Sequence, residues 1–176
     1  GVAATIGSDC PLFFAQKPVI MRGRGEALEA LSPRAVKVLA GQSVLLFKPP
    51  FGIATPWAFS MMRAAPDGCF YADSKAFEAR LRSWLDAPDW ASLPLLNSLQ
   101  SVVEQKYLAI GLMVRRLQAD FGLRSQMSGS GSSCFVLLDG SDQAAEIEQF
   151  IRRNWGPAAW IQQTSIKEKC SDDLSC

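Results

Sequence analysis

The sequence predicts an α+β fold: an antiparallel sheet with helices on one face, in the split β-α-β arrangement of ferredoxin-like domains. Three observations predict it. The apolar run SVLLFK at 43–48 has strand length and is stopped by Pro49, Pro50 and Gly52. Apolar residues then recur at helical spacing over about 99–121, and again over about 142–155. Between and after these helices lie three more short stretches, RSQMSG, CFVLLDG and AWIQQTSI. From residue 43 the order is therefore strand, helices, strand, strand, helix, strand.

The elements follow in order. Residues 18–22 (PVIMR) read as a short strand closed by the turn glycines Gly23 and Gly25. The strand at 43–48 looks buried on both faces. In TPWAFSMMRA, Thr55 reads as an N-cap with Pro56 at the first helical position. KAFEARLRSWL repeats apolar residues at Phe77, Leu81, Trp84 and Leu85, which is helical spacing. Val103, Tyr107, Ile110, Val114, Leu117 and Phe121 fall at steps of four and three, one apolar face of a single long helix that Gly122 stops. Such a stripe is what any packed helix needs, so it reads as core. Ile147, Phe150, Ile151 and Trp155 line the last helix, which Gly156 and Pro157 end. The tail KEKCSDDLSC is polar and is expected to fray.

Composition narrows the function. With 176 residues, 48% of them hydrophobic, the chain can build one well-packed domain, or one plus a piece of another. Its 18 basic and 17 acidic residues leave no electrostatic excess to hold a nucleic-acid backbone. No stretch approaches the roughly 20 apolar residues of a membrane helix, and no secretory core opens the chain. A cytoplasmic protein acting on neither nucleic acid nor membrane is expected. The five cysteines form no C-x-x-C pair, which argues for reduced thiols over a zinc site or disulfide framework. Histidine is absent, so a Ser-His-Asp triad, a Cys-His pair and a histidine metal ligand are excluded within this chain. Proton transfer here must use carboxylate, lysine, tyrosine or water.

A few stretches carry candidate chemistry. In TIGSDCPLFF, Asp9 stands just ahead of an apolar wall. Taken alone it is a turn cap, although a carboxylate carried into partial burial must be paired or put to use. MSGSGSSC at 127–134 sets glycines and serines between two apolar strands, suiting either a tight hairpin or a phosphate-facing loop. It lacks the spacing of a P-loop and of a dinucleotide fingerprint. Arg22 and Arg24 flank a glycine turn and are able to attract anions. Thr55 and Phe59 lie one helical turn apart. That pair is either an N-cap plus a core aromatic, which the pattern favours, or a hydroxyl and ring that grip a flat base.

The order of these motifs is more specific than any one of them. GSDCPLFF, GRGE, PPFGIATPWAF, LLNSLQSVV and MSGSGSSCFVLL follow one another over roughly residues 1–166, a series that resembles the GHMP small-molecule kinases. Within them the first motif, joined to GRGE, resembles the branch acting on a cytidine diphosphate sugar alcohol in non-mevalonate isoprenoid synthesis. The resemblance implies transfer of the γ-phosphoryl group of ATP, with Mg²⁺, onto an alcohol. It implies that Asp9 is the catalytic base, that Thr55 and Phe59 line the cytidine pocket, and that Gly129, Ser130 and Gly131 border the phosphates. Phosphoryl transfer rests on positioning and electrostatics, so one well-placed carboxylate suffices without histidine.

The chain also departs from the family. The P-x-G-x-G-L-G-G-S-S loop that cradles ATP phosphates is missing, and NSLQ at 97–100 stands where N-D-L-E is usual. Cys10 takes a place where valine is common. The expectation is a tail of the ATP-site domain at 1–40 carrying Asp9, the C-terminal domain at 41–168, and a polar tail at 169–176. Such a chain is expected not to turn over ATP alone, its magnesium- and adenine-holding half being absent or on another chain.

Overall fold

The computed structural model describes residues 15, 17–23, 27–71, 73–140 and 143–168. The chain divides into two units: 42–83 with 94–165, and the remainder, comprising 1–41, 84–93 and 166–176.

The larger unit contains a four-stranded antiparallel sheet. Its strands are β3 (Ser43–Lys48), β4 (Ser125–Met127), β5 (Cys134–Leu137) and β6 (Trp160–Ser165), in spatial order β4-β5-β3-β6. Each strand pairs with a non-successive neighbour except at the β4–β5 hairpin, which is the predicted split β-α-β topology. Leu45 lies opposite Val136 and Phe47 opposite Cys134, and all of these are buried in one core. Helices α4 (Ser98–Lys106), α5 (Leu108–Phe121) and α6 (Ala144–Trp155) close that core through Val103, Ile110, Met113, Leu117, Ile147 and Ile151.

The single long helix expected over 99–121 is two. Tyr107 (φ −104°, ψ 65°) ends α4 and begins α5. No glycine or proline marks the break, and steps of four and three continue across it, so periodicity alone runs through. Packing holds the break in place: the Tyr107 ring stacks on Phe51 at 5.6 Å and meets the edge of Trp57 at 5.4 Å. Gly122, at φ 70°, caps α5 as expected.

In the smaller unit β1 (Val19–Arg22) pairs antiparallel with β2 (Ala27–Ala30), and α1 (Pro33–Leu39) follows. Neither β2 nor α1 was expected. The ALEA stretch has helix-forming composition, and its strand state comes from pairing with β1. Ser32 caps α1, accepting the Ala35 N–H at 3.2 Å, with Pro33 at the first helical position. Arg22, one of the two candidate anion-attracting arginines, is ion-paired with Glu29 at 3.1 Å. Helix α3 spans Ser74–Asp86. Among the described residues no helix is long and apolar enough to cross a membrane.

Candidate active site

Helix α2 (Thr55–Ala64) begins immediately after the turn that follows β3, and its start sets the site. Thr55 is the first helical residue rather than the N-cap. Ala54 holds the cap position with no side-chain hydrogen bond, so the Thr55 hydroxyl is not used on its own helix. It meets the Ser130 hydroxyl at 2.7 Å across 75 positions of sequence. Phe59, one turn further along α2, is 44% exposed, so the reading as a core aromatic is overturned too. The apolar interior beneath α2 is supplied instead by Ala58 and Met62.

Ser130 belongs to the glycine–serine loop between β4 and β5, and the loop is held at several points. Ser128 N–H donates to the Ser133 carbonyl at 2.8 Å, and Gly131 N–H to the Ser128 carbonyl at 2.9 Å. The Ser132 hydroxyl, on a residue only 2% exposed, donates to the Phe51 carbonyl and ties the loop to the turn after β3. Gly129 and Gly131 adopt φ 54° and φ 79°, a region costly for other residues. At Gly131 space forbids a side chain as well, since a Cβ would sit 2.6 Å from the Met127 sulfur. Among the described residues no hydrogen bond engages the main-chain N–H of Gly129 or Ser130, leaving both able to face an anion.

Asn97 is the residue that motif reading left without a role. Its Oδ1 caps α4 by accepting Leu99 N–H at 3.1 Å. Its Nδ2 donates to the carbonyls of Met127 at 2.7 Å and Gly129 at 2.9 Å. The asparagine that leads the helix was the available signal, but contacts about thirty residues away leave no local trace. Gln100, one turn on, accepts the Met127 N–H at 2.9 Å.

The structure thus brings together Thr55, Gly129, Ser130 and Gly131, with Phe59 exposed on the same helix. Asp9, Cys10 and Arg24 lie outside the described residues. Cys134, at the far end of the loop, is no nucleophile. Burial first, and the Glu104 carboxylate second, push its thiol up to about 12. Cys69 and Cys134 are both free thiols, as expected. The described arrangement offers hydroxyls, main-chain N–H groups and an aromatic face, which is binding chemistry. Among the described residues no cluster of three or more His, Cys, Asp or Glu fits a metal ion.

Residues 76–157 match the family model described as GHMP kinases C terminal. The chain is 36% identical over 169 residues, 90% of its length, to a 4-diphosphocytidyl-2-C-methyl-D-erythritol kinase of Synechococcus sp. (strain CC9311), of which it covers 54%. It superposes on the crystal structure of a 4-(cytidine 5'-diphospho)-2C-methyl-D-erythritol kinase with a TM-score of 0.58 at 28% identity. That match takes in 93% of this chain and 55% of the other. A homoserine kinase from Cytophaga hutchinsonii, 15% identical with a TM-score of 0.64, shares the fold over 86% of this chain and 49% of its own length. The chain spans about half the length of the curated relatives it matches. Residues 76–157 thus match the GHMP kinase C-terminal domain, and most of the chain is similar to kinases that carry it.

Proposed function

We propose that this chain forms the substrate-facing part of a kinase that moves the γ-phosphoryl group of ATP onto the 2-hydroxyl of 4-diphosphocytidyl-2-C-methyl-D-erythritol, in non-mevalonate isoprenoid biosynthesis. Phe59 stacks on the cytosine, Thr55 hydrogen-bonds at the edge of that pocket, and Gly129, Ser130 and Gly131 border the phosphates. Asp9 accepts the proton of the attacked hydroxyl. GHMP kinases use ATP, which supplies the phosphoryl group. The residues of this chain bind, orient and deprotonate the alcohol, and any Mg²⁺ is held elsewhere.

The observation that carries this reading is the Thr55–Ser130 hydrogen bond. It draws the start of α2 to the glycine–serine loop, which supports reading Phe59, one turn along, and that loop as parts of one pocket. The 36% identity to a relative named for that substrate supports the choice of substrate. Titration calorimetry with cytidine diphosphate tests the pocket. Phe59→Ala is expected to weaken binding about 5- to 150-fold, since a stacked base contributes about 1–3 kcal/mol. No affinity in the unmodified chain would overturn the proposal. Joined to the ATP-loop half of a relative, the chain with Asp9→Asn is expected to lose about 10²–10⁴ in kcat while keeping cytidine diphosphate affinity.

A further inference from the structure

One hydrogen-bonded relay reaches the loop from a distance. Gln100 Oε1 accepts the Met127 N–H at 2.9 Å, and its Nε2 donates to Glu104 Oε1 at 2.7 Å. Glu104 Oε2 in turn accepts from Arg115 Nη1 of α5 at 2.7 Å. The Glu104 side chain is only 19% exposed, so its acceptors are directed rather than dissolved in bulk water. With Asn97 on the Met127 carbonyl, both main-chain polar groups of Met127 are held by side chains from the start of α4.

We infer that Glu104 is a positioning residue for the glycine–serine loop, acting through Gln100 and itself seated by Arg115 and Gly111. A glutamine amide is able to point either way, and the carboxylate decides. With Nε2 drawn to Glu104, Oε1 is left facing the Met127 N–H. A glutamate at position 100 would instead set two carboxylates against each other at hydrogen-bond range. Glutamine at 100, where the family pattern N-D-L-E has an acid, is therefore the partner that Glu104 requires. Gly111 completes the seat: a Cβ there would stand 2.5 Å from Glu104 Cδ and 2.7 Å from Oε2. A Cβ there therefore displaces the carboxylate, the three nearest atoms all being Glu104's. The functional weight of the relay rests on the proposal that this loop borders the phosphates.

Amide hydrogen exchange of residues 127–131, read with denaturant midpoints, tests the relay without requiring activity. Gln100→Glu removes the donor to Glu104, and repulsion between the two carboxylates is expected to turn the new side chain from the Met127 N–H, speeding exchange there about tenfold. The swap Gln100→Glu with Glu104→Gln is expected to restore protection, because the donor then comes from position 104. Gly111→Ala is expected to speed loop exchange by more than its fall in midpoint accounts for, because the displaced carboxylate frees Gln100 while alanine's helix preference offsets part of the cost. A merely structural role predicts loop protection and midpoint falling together. Unchanged exchange in Gly111→Ala, or a swap no better protected than Gln100→Glu, would overturn the inference; Gly111→Ala decides it where Gln100→Glu fails to fold. Cytidine diphosphate binding by the unmodified chain separately decides the substrate reading, so relay and substrate fail by different measurements.

Discussion

Helices α2 and α4 each begin with a polar side chain that reaches the same loop, and they do it differently. Thr55 sends its one hydroxyl to Ser130 and leaves the α2 start uncapped by any side chain. Asn97 caps α4 and holds two loop carbonyls at once. The difference lies in the functional groups. An amide carries a separate acceptor and donor, so one residue both starts a helix and fixes a loop, whereas a hydroxyl engaged elsewhere leaves the helix end to its backbone. The α4 start is fixed through three hydrogen bonds, the α2 start through one exposed hydroxyl pair.

Substitutions sharpen this contrast, the largest effect first. Asn97→Ala removes the cap and both donors and is expected to cost about 2–3 kcal/mol in denaturant melts. Asn97→Asp keeps the cap but turns a carboxylate on two carbonyls, with an expected cost of about 1–2 kcal/mol. If Asp matched Asn in stability, the donors would count for nothing and the contrast would collapse. Cys134 reports on the far end of the loop. Because its folded pKa is raised, the unfolded thiol ionises first, and its contribution is full below pH 9 and lost as pH rises toward 12. Relative to Cys134→Ala, the unmodified protein is therefore expected to lose stability above pH 9, by up to about 1.4 kcal/mol per unit. Parallel curves for the two proteins would contradict that burial. Thr55→Val gives the smallest effect, about 0.5–1 kcal/mol, since the exposed Ser130 hydroxyl regains water. A cost equal to that of Asn97→Ala would erase the distinction between the two helix starts.

Much of the fold was legible because β3, α6 and the β4–β5 pair carry clean periodicity and proline or glycine stops. The break at Tyr107 was not, since apolar spacing continues through it and its mark is ring packing with Phe51 and Trp57, which are distant in sequence. Strand β2 was hidden by helix-forming residues that pairing overrides. At the site, the glycine–serine loop announced itself. Thr55 was read as a cap because Pro56 follows it, but Thr55 lies inside the helix that this proline helps to start. The roles of Asn97 and Gln100 depend on carbonyl and N–H groups far along the chain, which no local pattern encodes.

The two loop glycines differ in how freely sequence drift can explore them. Around Gly129 there is open space, so only its positive φ resists change, and asparagine, which tolerates that region, is an accessible neighbour. Gly131 is closed by the Met127 sulfur and the Ile53 Cδ1 as well as by its φ, so replacement there requires those two side chains to move with it. A library randomised at both positions is expected to return a mixed population at 129 and glycine at 131, making one loop half adaptable and the other fixed.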